Sequence, residues 1–340
     1  MNRIPEIRYL VLTLTNRCNL ACCYCYCPKP QKPLDMTSDI MKQAVRFAAL
    51  QGAPLHVQLT GGEPCLNKEL VFTTINEVRA VIPSATIAIQ TNATLLDEEI
   101  CLFFKQHKVN VGVSIDGPPS VHEKTRGNFI KMFAGLECLE RCDVPWRATT
   151  VVCDHTVTQL HKLVLILSRF KTARGIALDV LTRKGNAFKN NVSQIAPEMV
   201  REHIVNMMDA LKNVNVHRTI PLRFREADSV SKHADAEKRE SFCHACNGEA
   251  MAVYPDGTVY PCSQFCGEEK YCAGTIEAFN SSGLHLSPGS QKGNECESCS
   301  LQGKCPGDCP SRLLHNDLHE QRIVCEIYRT IFDYQKRNGI

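Results

Sequence analysis

The chain has 340 residues, 44% of them hydrophobic, and a formal net charge of +3. That length allows one large α/β domain with a smaller second one, and so balanced a charge gives no ground for a nucleic-acid-binding surface. The first ten residues lack the apolar core of a secretion signal and no apolar run approaches the ~18 residues that span a bilayer, so a cytoplasmic protein is expected, with neither nucleic acid nor membrane as partner.

In chain order, strands alternate with helical patterns. Residues 8–14 read as a strand, 37–51 as a helix capped by Thr37 or Ser38, 55–60 as a strand and 67–82 as a helix. The same pairing continues with 87–92 and 95–107, 109–116 and 129–141, then 147–152 and 157–170, and the strand 175–181 follows. Such alternation implies a parallel sheet with crossover helices, a partial (β/α)6 TIM-like barrel whose chemistry belongs at the C-terminal ends of the strands. Residues 185–191 read as a polar loop, 197–213 as a helix and 224–240 as a charged helix or linker. Three regions result: a barrel over 1–190, a helical linker over 191–240 and a cysteine-rich domain over 241–335.

Cysteine is the outlier, with 20 in the chain. Disulfide scaffolds are small, secreted and poor in core, whereas clustered cysteines in a cytosolic chain bind metal. Five lie between Cys18 and Cys27 and ten between Cys243 and Cys325. Cys65, Cys101, Cys138, Cys142 and Cys153 read for the most part as small buried residues. Cys18, Cys22 and Cys25 follow the first strand with the spacing C-x3-C-x2-C. Three thiolates on one short loop hold three irons of a [4Fe–4S] cube and leave the fourth iron open to a small molecule. Cys23 and Cys27 are surplus to this count, and zinc is the plainer alternative for any such group.

This loop, with Tyr24 before its last cysteine, resembles that of the radical S-adenosylmethionine (SAM) superfamily. Gly61-Gly62-Glu63-Pro64 after the second strand resembles the family's GGEP segment, which receives the amino group of SAM. Asn92 ends the third strand, and Ser114-Ile115-Asp116-Gly117-Pro118, with His122 and Arg126, resembles the branch that matures peptides and sulfatases. The resemblance implies SAM contacts at Ser114 and Arg126 and a SAM-binding role for Tyr24, Gly61, Gly62, Glu63, Pro64, Asn92 and Asp116. Read without the resemblance, Asp116 is a turn residue and His122 lies on a helix surface.

The last hundred residues resemble the SPASM domain of peptide-modifying members. Cys262 closes a hairpin turned at Asp256-Gly257, and Cys296, Cys299, Cys305 and Cys309 have the spacing C-x2-C-x5-C-x3-C. With Cys243, Cys246 and Cys325 the count is eight, enough for two auxiliary [4Fe–4S] clusters beside the SAM-binding one. By resemblance Cys309 joins Cys243, Cys246 and Cys262, and Cys325 completes Cys296, Cys299 and Cys305. Cys266 and Cys272 are spare, and either could displace Cys243.

The resemblance implies an enzyme that cleaves SAM reductively to a 5′-deoxyadenosyl radical, which takes a hydrogen atom from a carbon of a peptide or protein. The auxiliary clusters would accept the electron left behind, making the reaction an oxidation or crosslink. A flavodoxin or ferredoxin is the expected electron donor. The chain starts almost at the first strand, so a leader peptide, if used, would call for a separate leader-binding protein or another surface. Anaerobic sulfatase maturation, which forms formylglycine, is the alternative, but where that family has an Asp after the Pro-Cys of the hairpin this chain has Ser263. A third reading is a small-molecule substrate such as a tetrapyrrole. Tyr24, Asp116, His122 and Ser263 are all expected near the mouth of the barrel, and none stands out as the catalytic acid or base.

Overall fold

The computed structural model describes residues 6–27, 30, 32–50, 52, 54–235, 241–286 and 296–339. Six strands, β1 (Tyr9–Thr15), β2 (His56–Gly61), β3 (Thr86–Thr91), β4 (Asn110–Ser114), β5 (Trp146–Val152) and β6 (Ala173–Val180), pair in parallel in chain order. Crossovers run through α1 (Ser38–Ala49), α2 (Lys68–Val81), α3 (Glu98–Gln106), α4 (Pro119–Thr125) with α5 (Phe129–Arg141), and α6 (Leu160–Leu167). This is the partial barrel expected from the alternation. Thr37 is the N-cap of α1, accepting from the Ile40 amide at 3.3 Å, which supplies one of the donors a helix start leaves open. The ends expected for α1 at residue 51 and for the charged segment at 236–240 lie outside the described residues.

Beyond β6 come α7 (Asn186–Lys189), α8 (Pro197–Asn215), β7 (Arg223–Phe224) and α9 (Arg225–Asp235). The cysteine-rich part follows with β8 (Ala250–Val253), β9 (Thr258–Tyr260), β10 (Gly274–Thr275), β11 (Ala278–Phe279), α10 (Pro310–His315) and α11 (Leu318–Asn338). β8 and β9 form the expected antiparallel hairpin. β8 also pairs in parallel with β1, Tyr9 opposite Ala250, so one sheet runs β11-β10-β9-β8-β1-β2-β3-β4-β5-β6-β7 among the described residues. α11 packs on α8 and α9. The sequence reading placed no element at β7, β10, β11, α10 or α11, gave no bounds to the helix carrying His122, which is α4, and read as a polar loop the stretch 185–191 that contains the short helix α7.

The two faces of the barrel strands are unlike. Helix-facing Val57, Leu59, Ile87, Ile89, Val111, Val113, Ala148 and Val152 are buried apolar residues. Inward-facing Gln58, Thr60, Gln90, Ser114 and Thr149 are polar and half-buried. A complete barrel fills its inside with branched apolar side chains. Here those five positions are polar and only half-buried.

No helix among the described residues is long and apolar enough to cross a membrane.

Candidate active site

Residues 16–27 follow β1 as a loop that three other segments hold in place. The amide of Cys23 donates to the Thr125 carbonyl at 2.8 Å. Asn92 Nδ2 donates to Asn19 Oδ1 at 2.9 Å. From α7, the Asn186 amide donates to the Cys25 carbonyl at 2.8 Å, Asn186 Nδ2 to the Cys22 carbonyl at 3.1 Å and Asn190 Nδ2 to the Cys23 carbonyl at 2.8 Å. Gly185 has φ +58°. A Cβ there would stand 2.5 Å from the Cys25 oxygen and 2.6 Å from the Tyr26 oxygen. Sequence reasoning missed Gly185, Asn186 and Asn190; their one signal was a Gly-Asn stretch just after the sixth strand. Gly185→Ala is expected to push α7 off the loop and lower the iron it retains, measured as iron per chain after anaerobic reconstitution and desalting.

The thiols of Cys18, Cys22 and Cys25 lie within electrostatic reach of one another. Leu20 N–H points at Cys18 Sγ at 3.4 Å, the kind of bond that tunes a cluster thiolate. Burial pushes the Cys18 thiol up to about 11, so these sulfurs ionise only against a metal's charge. A single zinc ion would draw its thiolates to within ~4 Å of one another. Cys18, Cys22 and Cys25 are not gathered that closely, since the sole set of three or more metal-binding side chains converging within 4.8 Å among the described residues lies elsewhere. The donor set therefore fits a polynuclear iron–sulfur group.

Gly61 and Gly62 bring the second loop against this one. The Gly62 amide donates to the Thr15 carbonyl at 2.9 Å and the Glu63 amide to the Arg17 carbonyl at 2.8 Å. A Cβ on Gly62 would lie 2.1 Å from the Arg17 oxygen and 2.9 Å from Cys18 Cβ. The Glu63 carboxylate is 1% exposed and already accepts from Thr91 Oγ1 at 2.7 Å, the Asn92 amide at 2.7 Å and the Cys65 amide at 3.1 Å. Desolvation raises its pKa against these bonds. Glu63 thus ties the second and third strand ends together, beside buried Pro64. Ser114 accepts from Gln90 Nε2 at 3.0 Å on the polar inner face.

Asp116 and His122 are corrections to the turn and surface-helix readings. Asp116 and His122 are each 1% exposed, because α4 folds back over the end of β4. Asp116 pairs with Arg126 Nε at 3.1 Å. It also accepts from Tyr24 Oη, from Thr125 Oγ1 at 2.8 Å and from Thr150 Oγ1 at 3.2 Å. Burial opposes its ionisation, but Arg126 and the Tyr24 and Thr125 hydroxyls outweigh burial and hold the carboxyl below its usual range. The Arg126 guanidinium lies 5.2 Å from the Tyr24 ring centroid and within electrostatic reach of Cys22. Tyr24, Asp116 and Arg126 therefore form one buried charged group against the cysteine loop.

His122 Nδ1 takes the Asp116 amide at 3.4 Å, and burial, then Arg126, lowers its pKa to about 4. An unfolded histidine takes its proton near 6.5. Between about 6.5 and about 4 the unfolded chain therefore binds the extra proton, and stability is lost as pH falls through that window. The full loss is on the order of 3 kcal/mol. His122→Gln is expected to flatten that limb, read by denaturant unfolding at pH 7 and pH 5.

No disulfide joins any of the twenty cysteines, all of which are described. In the C-terminal part Cys243 and Cys246 have their Sγ atoms 3.8 Å apart. Cys262 interacts with Cys309, and Tyr9 lies within reach of both Cys262 and Cys243. Cys325 interacts with Cys305 and Cys296. Gly307 N–H points at Cys305 Sγ at 3.4 Å, and the Cys299 amide donates to the Cys296 carbonyl. Cys266 contacts the Cys262 carbonyl at 3.9 Å, and Cys272 that of Gly274 at 3.6 Å. Tyr26 lies within electrostatic reach of Cys27 and Cys25 and also of Cys262 and Cys266. Lys184 Nζ donates to the Gln264 carbonyl at 2.6 Å and pairs with Glu268. The stretch that anchors the cysteine loop thus also holds the cysteine-rich part.

Comparison with known proteins bears on the fold. Residues 12–165 match the Radical SAM superfamily. The chain is 25% identical over 367 residues to a cysteine-type anaerobic sulfatase-maturating enzyme of Clostridium perfringens, covering 97% of this chain and 96% of that one. A solved structure of native anSMEcpe with bound AdoMet and Cp18Cys peptide superimposes with a TM-score of 0.78 at 22% identity, covering 98% of each chain. Streptococcus suis SuiB bound to precursor peptide SuiA superimposes with a TM-score of 0.66 at 15% identity, covering 93% of this chain and 74% of that one.

Proposed function

We propose that this radical SAM enzyme oxidises or crosslinks a side chain or backbone carbon of a ribosomally made peptide. One observation carries the reading: Tyr26 lies within electrostatic reach of both the cysteine loop, at Cys25 and Cys27, and the C-terminal cysteines, at Cys262 and Cys266, and the barrel strands carry polar, half-buried residues. The solved structures with bound peptides support a peptide substrate.

Cys18, Cys22 and Cys25 would hold the first [4Fe–4S] cluster. Tyr24, Gly61, Gly62, Glu63, Pro64, Asn92, Ser114, Asp116 and Arg126 would shape the SAM site. Once loaded, the site supplies a 5′-deoxyadenosyl radical that takes a hydrogen atom from a substrate carbon. The chain's task is to place that carbon and exclude water and other quenchers. Gly62 holds its loop against Cys18, and Glu63 acts through its fold, fixing the strand ends. Asp116 and Tyr24 fix Arg126 beside Cys22. Net oxidation requires the substrate radical to lose one electron and one proton. Cys243, Cys246, Cys262 and Cys309, and Cys296, Cys299, Cys305 and Cys325, would hold two auxiliary clusters able to accept that electron, and a flavodoxin or ferredoxin would donate the electron that SAM cleavage consumes. A leader-binding protein would present the substrate.

Cys296→Ala is expected to spare 5′-deoxyadenosine formation and abolish the modified peptide, followed by mass spectrometry with peptides encoded beside the gene. Product formed at the normal rate by the variant would refute the relay. The second reading, sulfatase maturation, is favoured by the full-length match to a sulfatase-maturating enzyme. Against it stands Ser263, a poor base, after Cys262. A sulfatase-derived peptide is expected to return from the assay unchanged; conversion of its Cys or Ser to formylglycine would instead establish that reading.

A further inference from the structure

Three cysteines that the radical chemistry does not use lie together on the helical layer. Cys101 is on α3, Cys138 is on α5 and Cys142 caps α5. They are 0%, 3% and 8% exposed. Their Sγ atoms all lie within 4.8 Å of one another, and no other group of His, Cys, Asp or Glu among the described residues converges in this way. Cys138 and Cys142 are one turn apart on the same helix face, and Cys101 completes the set from the facing helix.

Packing alone does not call for three touching sulfurs, since Ala or Val would fill this space as well. Zn–S bonds of about 2.3 Å place tetrahedral thiolates about 3.8 Å apart, so closing this group on one ion takes at most an ångström of side-chain movement. Binding would release three thiol protons and leave a net charge of −1. Arg141 lies within electrostatic reach of Cys142 and would offset part of it; Lys105 Nζ, which donates to the Cys142 carbonyl at 3.1 Å, is already paired with Asp143. Glu98, in the first turn of α3, is also within reach of Cys142.

We infer that Cys101, Cys138 and Cys142 bind one zinc ion that ties α3 to α5, its fourth position closed by water or the Glu98 carboxylate. The thiolate set and the absence of an assigned imidazole suit a soft d10 ion. The site is distinct from the iron–sulfur ligands and braces the wall of the barrel behind β3 and β4. Cys65, whose amide holds Glu63, lies within electrostatic reach of Cys101.

The test uses the full chain, produced with zinc supplied and with its iron–sulfur clusters assembled. Elemental analysis is expected to find about one zinc per chain beside the iron, and Cys142→Ser is expected to lose that zinc with iron unchanged. Zinc-edge X-ray absorption on the wild type, which does not depend on any variant folding, is expected to show three sulfurs at about 2.3 Å and one oxygen at about 2.0–2.2 Å. Zinc-free wild type, zinc unchanged in Cys142→Ser, a shell of four sulfurs, or a disulfide among the three cysteines in the native protein would each overturn the site.

Discussion

Cys22→Ala is expected to abolish SAM cleavage and to lower the reconstituted iron by about four atoms per chain. The loop offers Cys18, Cys22 and Cys25, and a cube held by two thiolates has two open irons and no stable seat. The fold should survive, because the loop is anchored through backbone carbonyls. The Cys22 carbonyl takes Asn186 Nδ2 at 3.1 Å and the Cys23 amide donates to Thr125 at 2.8 Å, and neither bond involves the lost sulfur. Near-normal far-UV circular dichroism with no 5′-deoxyadenosine is the expected pair of results. Cleavage retained at the wild-type rate would mean that Cys23 or Cys27 replaces Cys22 and that the ligand assignment is wrong.

Asp116→Ala is the most damaging change expected outside the cysteines. It leaves Arg126 charged, with a side chain only 9% exposed and its ion-pair partner gone. Breaking one side of a buried pair costs about 3–5 kcal/mol, a large part of the ~5–15 kcal/mol that holds a domain folded. The Tyr24 and Thr150 hydroxyls lose their acceptor as well, while Thr125 keeps the Val121 carbonyl at 3.0 Å. Urea unfolding should show the loss. Asp116→Ala combined with Arg126→Met should recover part of it, because the stranded charge is gone. A double variant no more stable than the single one would show that the hydroxyl bonds, not the ion pair, carry the energy.

How much of this was legible in the sequence depends on how local each feature is. The six strands and the helical crossovers between them follow from short-range periodicity, and the cysteine spacings can be read directly along the chain. α11 left a local signal that went unread: Asp317 and Glu320 form a capping box, and Ile323, Ile327 and Ile331 mark its buried face. The pairing of β8 with β1 joins residues some 240 apart in sequence and has no local signature. The same is true of Asp116, whose turn-like sequence conceals a position where α4 folds back and Arg126 finds it. Gly185 looked like an ordinary loop glycine because its reason to exist, the Cys25 carbonyl, comes from the loop after β1, far away in sequence. The inward polar residues Gln58, Gln90 and Ser114 are legible only once the sheet curves and gives its two faces different neighbours.

The central claim is one SAM-cleaving cluster and two auxiliary clusters in one chain. Anaerobic reconstitution with iron and sulfide, followed by iron counting and a SAM-cleavage assay with a strong reductant, tests it most directly. The account predicts about twelve irons per chain and formation of 5′-deoxyadenosine. About four irons with cleavage intact would remove the auxiliary relay, and no iron uptake with no cleavage would contradict the account as a whole.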